Sequence, residues 1–221
     1  MPTPSAVPAE TLKSRDLLII GAGGHAAVVI EVARAAGWNP VAALDPGAQR
    51  DVVGVPVRGG DGMLEVILAE GKIAGGIVAI GDNALRMRLG AHLRSLRCPM
   101  PVLVHPSAAV SPTATLGGGT VVMAHAVINA RARIGTDCII NTSAIIEHDC
   151  ILGDGVHTAP RSVMGGNCHL GAATLFGIGA VARPGTRIGS KAIVGAGAVV
   201  VSAIPEGAIV TGIPAKARSR R

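Results

Sequence analysis

The chain has 221 residues, of which 49% are apolar, with 31 glycines, a net charge of +6, one Phe, one Trp and no Tyr. No run reaches the roughly 18 uncharged apolar residues of a membrane-spanning helix, the Pro/Ala-rich start lacks the apolar stretch of a signal peptide, and the missing rings exclude the base-stacking platforms of single-strand nucleic-acid binders. The four cysteines show no metal or disulfide spacing, so no metal is expected and a reducing cytoplasm is the expected compartment.

Positions 1–15 are read as a disordered tail, followed by an α/β domain over 16–100. Leu17-Leu-Ile-Ile20 is a strand ending in the glycine turn Gly21-Ala-Gly-Gly-His25. A helix over 26–36, closed by Gly37, leads to a second strand, Val41–Leu44, and then to Asp45, which makes a βαβ unit. Val52 to Val57 reads as an edge segment and Ile77–Ile80 as a third strand. Asn83 is expected to cap a helix whose apolar face is Leu85, Leu89, Leu93 and Leu96, and Pro99 and Pro101 end the domain. Gly21, Gly23 and Ala26 with Asp45 satisfy the dinucleotide fingerprint by the letter. Only one mononucleotide half fits before the repeats begin, which favours a nucleotide-diphosphate group over NAD. His25 either contacts that ligand or caps the helix.

A period of six then holds without a slip. From Val104 through Val122, Ile140, Thr158 and Phe176 to Val200, every sixth residue is apolar except Thr158. Four residues after each sits a mostly small residue, and this series includes Cys138, Cys150 and Cys168, which are read as core filler. Glycine follows the apolar position at 117, 135, 153, 171 and 189, where it is expected to serve a bend with unusual backbone angles. One apolar residue in six suits neither a helix face nor an alternating strand. It suits triangular coils stacked in parallel about 4.8 Å apart, expected over 101–205 and followed by a basic C-terminal segment over 206–221 that carries Lys216, Arg218, Arg220 and Arg221.

The hexads resemble the left-handed parallel β-helix of the hexapeptide-repeat acyltransferases. With Gly21–His25, Asp45, Ile80-Gly-Asp-Asn83, Asn141-Thr-Ser-Ala-Ile-Ile-Glu-His-Asp149 and Gly212-Ile-Pro-Ala-Lys216, the chain resembles the nucleotide-sugar N-acetyltransferases of bacterial glycan synthesis, as in bacillosamine and perosamine pathways. The related sialic acid O-acetyltransferases share the architecture. The resemblance implies a homotrimer with active sites between subunits, acetyl-CoA as co-substrate, and a UDP- or GDP-linked 4-amino-4,6-dideoxy sugar as acceptor. It implies His148 as catalytic base with Asp149 as its acidic partner. His157, Ile178 and Ala196 are implied on the acetyl-CoA side, where the repeat frame described below adds Gly166, and Gly23, Gly24, His25, Asp45, Gly81, Asn83 and Asn141 are placed on the nucleotide-sugar side. Pro46 stands where some relatives carry a second acid, which leaves the nucleotide base open.

The repeat frame adds its own expectations. His148 falls two residues past an inward position and should face outward, and an acid beside a histidine fixes its tautomer. Residues 18 apart should stack, which puts Gly166 one coil beyond His148 and suggests its amide as an oxyanion donor. His125 and His169 stack on neither His148 nor His157, so no histidine metal cluster is expected. O-acetylation of a sialic-acid-type sugar, a non-catalytic β-helix scaffold and an NAD-binding regulator stand as alternatives.

Overall fold

The computed structural model describes residues 15–48 and 50–217. Arg15 apart, the tail expected at 1–15 lies outside the described residues, as do Arg218, Arg220 and Arg221.

The N-terminal part opens with β1 (Asp16–Ile20), α1 (Gly24–Ala35) and β2 (Asn39–Leu44). A 3-10 turn at Asp61–Met63 leads into α2 (Leu64–Ala69), which the sequence reading did not foresee, and then β3 (Gly75–Val78) and α3 (Asn83–Ser95). The sheet is parallel in the order β2-β1-β3. Its strands bury both faces and so read as unbroken apolar runs. Leu17 and Ile19 pack under α1, whereas Leu18 and Ile20 pack with Leu64 and Ile67 of α2 and Leu89 and Leu93 of α3. The expected edge segment is reduced to isolated bridges, Val52 to Val55 and Ala43 to Val57.

The cap of α3 differs from expectation. Asp82 is the N-cap, its carboxylate accepting from the Leu85 amide at 2.7 Å, and Asn83 is the first helical residue. A carboxylate one residue earlier reaches the free amides of the first turn and favours their positive end. Asn83 instead turns toward the coils.

From Leu103 onward the chain winds into a parallel β-helix with three sheets. The first sheet includes Leu103–Val104, Val121–Val122, Ile139–Ile140, His157–Thr158, Leu175–Phe176 and Ile193–Val194, and is closed by the antiparallel pair Ile209–Thr211 and Lys216–Ala217. The second runs from Ala109–Val110 to Val199–Val200, and the third from Thr115–Leu116 to Arg187–Ile188. Through 103–200 the partner of each strand residue lies 18 positions away, as in Ile140 with Thr158 and Thr158 with Phe176. The second residue of each strand points inward. Val122, Ile140, Ile146, Met164 and Phe176 are fully buried, as are Cys138, Cys150 and Cys168 in the small series. Thr158, the polar exception, satisfies its hydroxyl by donating to the Ile139 carbonyl at 3.3 Å.

The recurring glycines serve a different purpose from the one expected. None of Gly117, Gly135, Gly153, Gly171 and Gly189 is among the residues with positive φ. They are needed for close approach: a Cβ on Gly153 would lie 2.7 Å from the Ala172 amide in the next coil. The left-handed conformation falls two residues later, at Gly119, Asp137, Gly155, Ala173 and Lys191.

The two parts share a core. Leu103, Val121, Met123 and Ile139 on the outer face of the first sheet are buried in the cluster that contains Val29 and Ile30 of α1. The upper coils of that sheet are not covered in this way, and Ile193 stays 39% exposed.

Candidate active site

The corner between the second and third sheets carries His148. Its side chain is 57% exposed, as its place two residues past the inward Ile146 requires. The next residue, Asp149, adopts the left-handed conformation at φ 61° and folds its carboxylate back onto the ring. Asp149 Oδ2 lies 2.8 Å from His148 Nδ1. One coil earlier in the same column, Arg131 donates from Nε to Asp149 Oδ1 at 2.6 Å and from Nη2 to Oδ2 at 2.8 Å. This bidentate hold, with the His148 contact second to it, keeps the Asp149 carboxyl well below the usual carboxylate range. An ionised Asp149 can only accept, so His148 Nδ1 donates to it; in the neutral ring this puts the lone pair on Nε2. Glu147 is not part of the relay; its Oε2 accepts the backbone amide of His148 at 3.3 Å.

Gly166 stacks on His148. A Cβ there would sit 2.6 Å from His148 Nε2, so glycine is what leaves room for the imidazole. Ala130, also small, precedes His148 by one coil. Among the described residues the Gly166 amide donates to no acceptor, while its neighbour Asn167 donates to the His148 carbonyl at 2.8 Å.

A second histidine lies elsewhere. His157 opens a strand of the first sheet, facing out beneath the glycine turn, with its ring centroid 6.3 Å from that of His25. His157 Nε2 is 3.0 Å from the Asn141 side-chain nitrogen. Asn141 Oδ1 accepts the Thr142 amide at 2.8 Å, so its NH2 must face the ring and His157 Nε2 is the acceptor. The Gly81 carbonyl lies close to the ring and favours its charged form, more weakly than burial opposes it. Burial first, then the nearby Arg86 cation, pushes His157 and His25 each down to about 4. His25 does not cap α1, which has no side-chain cap; its buried Nε2 has no hydrogen-bond partner among the described residues.

Three cavities lie along the glycine turns and the His157 face, and His148 lines none of the three. One of about 610 Å³ lies at the start of α1, lined by Ala22, Gly23, Gly24, Gly47, Arg50 and Val52. Asp45 organises its floor: its two oxygens accept the amides of Ala22, at 2.9 Å, and Gly47, at 2.8 Å. Backbone amides at a glycine-rich helix start, with Arg50 alongside, suit a diphosphate. A second cavity of about 350 Å³ is lined by His157, Leu175, Ile178, Ile193 and Ala196, an apolar wall suited to a pantetheine arm. A third, of about 370 Å³, adjoins it between Gly81, Asn83, Ala173 and Lys191. A single chain thus brings His157, Ile178 and Ala196 together with the turn at Gly81, near His25. It leaves His148, Asp149 and Gly166 at a different corner of the triangle.

Sequence reasoning missed three arginines and a lysine. Arg131 was detectable, because it precedes Asp149 by 18 and opposite charges stack in that frame. Arg86 gave no signal, because an arginine on a polar-looking helix is ordinarily a solvated one. Arg50 and Lys191 line cavities that only the folded chain creates.

Residues 16–93 match the family of the PglD N-terminal domain. Over 117 residues the chain is 36% identical to UDP-N-acetylbacillosamine N-acetyltransferase of Bacillus subtilis (strain 168), a match covering 50% of this chain and 52% of that protein. The fold is shared with a histidine-to-asparagine variant of perosamine N-acetyltransferase from Caulobacter crescentus, solved with CoA and GDP-perosamine: 44% identity, TM-score 0.90, 93% of this chain and 97% of that one. This chain belongs to the β-helix family of nucleotide-sugar N-acetyltransferases. Another member is the acetyltransferase domain of PglB from Neisseria gonorrhoeae FA1090, solved with acetyl coenzyme A, at 41% identity and TM-score 0.89 over 93% of this chain and all of that one. Within this family the chain spans only about half the length of the curated relative it matches.

Proposed function

We propose that this protein transfers the acetyl group of acetyl-CoA to the 4-amino group of a UDP- or GDP-linked 4-amino-4,6-dideoxy sugar. The observation that carries the reading is the Arg131–Asp149–His148 array, which holds the ring by Nδ1 and aims Nε2 over a glycine. The amine nitrogen attacks the thioester carbonyl carbon as Nε2 takes its proton. The tetrahedral oxyanion is met by the Gly166 amide, the carbon–sulfur bond breaks, and the CoA thiolate collects a proton from the imidazolium. A positioned general base contributes about 10²–10⁴ in rate, and one oxyanion donor about 3 kcal/mol.

His148 and the apolar cavity at Ile178 and Ala196 occupy different corners. A site that uses both is therefore formed between chains, which supports a trimer with active sites between subunits. The acyl donor lies along His157, Ile178 and Ala196. The nucleotide lies in the cavity at Gly23 and Gly24, over the turn that Asp45 organises. Crystal complexes of relatives with CoA and GDP-perosamine support both assignments. The PglB domain with acetyl coenzyme A supports the first.

An acetyl-transfer assay with a panel of UDP- and GDP-linked 4-amino sugars tests the reading. Turnover of at least one amine, with release of one CoA thiol per acetyl group, is expected. Acetylation of only sialic-acid-type hydroxyls would replace this reading with O-acetylation. No acyl transfer and no CoA binding would leave a scaffold.

A further inference from the structure

Among the described residues the largest fully buried side chain is an arginine. Arg86, on α3, is 1% exposed and uses its whole guanidinium. Nη1 donates to the carbonyls of Ile80, at 3.0 Å, and Gly81, at 3.1 Å, in the turn after β3. Nε donates to the Asp137 carbonyl at 2.7 Å, and Nη2 to the Gly155 carbonyl at 2.8 Å and to Asn83 Oδ1 at 2.7 Å. Asp137 and Gly155 are 18 apart, so one side chain joins two successive coils to the turn. The cation has no carboxylate of its own, because the Asp137 side chain is held by Arg94. Burying a charge on carbonyls alone is costly, and an apolar side chain of similar length would pack the junction at lower cost. What only a guanidinium supplies is a rigid fork that fixes several oxygens at once.

We propose that Arg86 is a positioning residue for acetyl transfer: by holding the Gly81 carbonyl and Asn83 against the coils, it sets the nucleotide-side turn in register with the acyl-donor face. The proposal rests on the function proposed above. Two observations carry it. First, the Gly81 carbonyl that takes a hydrogen bond from Arg86 also lies against the ring of His157, so moving the turn changes what the ring faces. Second, α3 climbs the coils in step. Arg94 meets Asp137, Arg86 and Met87 meet Gly155, and Asn83 donates to the Ala173 carbonyl at 3.0 Å, each contact one coil further. A helical turn rises about 5.4 Å and a coil about 4.8 Å, so α3 could also seat one turn away. Arg86, bonded to two coils and to the turn, selects one seat. Small residues keep that seat close: a Cβ on Gly90 would lie 2.6 Å from the Asp137 carboxylate, and one on Gly155 would strike Met87.

The groups facing His157 are His25 from α1, Arg86 from α3 and Asn141 from the coil below. Arg86 itself is faced by Asp82 and Asp137. With an amide NH2 on one nitrogen and a cation nearby, His157 stays neutral while Arg86 is in place.

The test compares Arg86→Lys, Arg86→Met and Gly155→Ala with Arg94→Ala, a control at the same interface that touches neither Gly81 nor a histidine. With the acceptor that the parent acetylates best, Arg86→Lys and Gly155→Ala should lose at least about 30-fold in kcat. Their Kd for CoA should stay within about twofold, whereas Arg94→Ala should lower Tm but hold kcat within about threefold. In Arg86→Met the His157 ring, followed by NMR, should titrate about one pH unit higher, a readout that needs no substrate. Turnover within threefold of the parent in both Arg86→Lys and Gly155→Ala would overturn the proposal. So would an equal loss in Arg94→Ala, or an unmoved His157 titration. A parent that acetylates no 4-amino sugar but shows the His157 shift would count against the proposed function and not against the role of Arg86.

Discussion

The corner at His148 and the junction at His157 place the same side chain in opposite surroundings. His148 is mostly exposed, with a carboxylate on Nδ1 and an arginine behind that carboxylate. His157 is half-buried, between an amide and a carbonyl, with a cation nearby and no carboxylate. The first arrangement fixes the ring by Nδ1 and aims Nε2 at Gly166; the second disfavours the charged ring and holds it as a neutral contact. One repeat frame generates both. A residue two places past an inward position stands on an open corner, whereas the first residue of a strand stands on a flat face that α1 and the Gly81 turn can cover.

Three variants break or sharpen that contrast at the His148 corner. Asp149→Asn keeps the shape but offers His148 a donor in place of an acceptor, and should cost about 100-fold in kcat, close to what loss of a supporting carboxylate does elsewhere. Gly166→Ala retains the amide yet puts a methyl 2.6 Å from Nε2. Steady-state kinetics should show kcat down by about tenfold to 100-fold, and a structure of that variant should show the imidazole displaced. Arg131→Ala leaves Asp149 to hold the ring alone, and a loss of only a few-fold is expected.

The His157 junction predicts a pH effect on stability. His25 and His157 titrate near 6.5 when unfolded and about 4 when folded. Between those values the unfolded chain binds more protons, so stability should be full above about 6.5 and fall as pH drops toward 4. Thermal melting across that range checks the sign, and replacing His157 with Gln should flatten the slope. Exposed Asp149 offers the opposite control. Its carboxyl is held ionised in the folded chain, so its own contribution is lost only as pH falls below about 5, and above that Asp149→Asn should leave the slope unchanged.

The β-helix was legible because its information is periodic. The buried cysteines, the outward His148 and the stacking of Gly166 all follow from counting in sixes. The glycines at 117 to 189 show where counting falls short: the period marked them, but the reason, a neighbouring coil's backbone less than 3 Å from any Cβ, exists only between coils. The junction was illegible for a related cause. Arg86 finds its partners 51 and 69 residues away, on coils whose docking no local pattern encodes. Asn83 was read as a cap because its neighbours look like a helix start; the cap fell to Asp82 because Asn83 is committed to Ala173 and Arg86.

The most direct test of the account is the turnover number of His148→Asn with acetyl-CoA and the preferred 4-amino nucleotide sugar. The side chain is exposed at a corner, so the fold and assembly should survive, as judged by melting and mass. A kcat lower by about 10³-fold, within the range of general-base catalysis, with CoA binding unchanged, is the predicted result. Turnover within tenfold of the parent would contradict it and move the base to another residue.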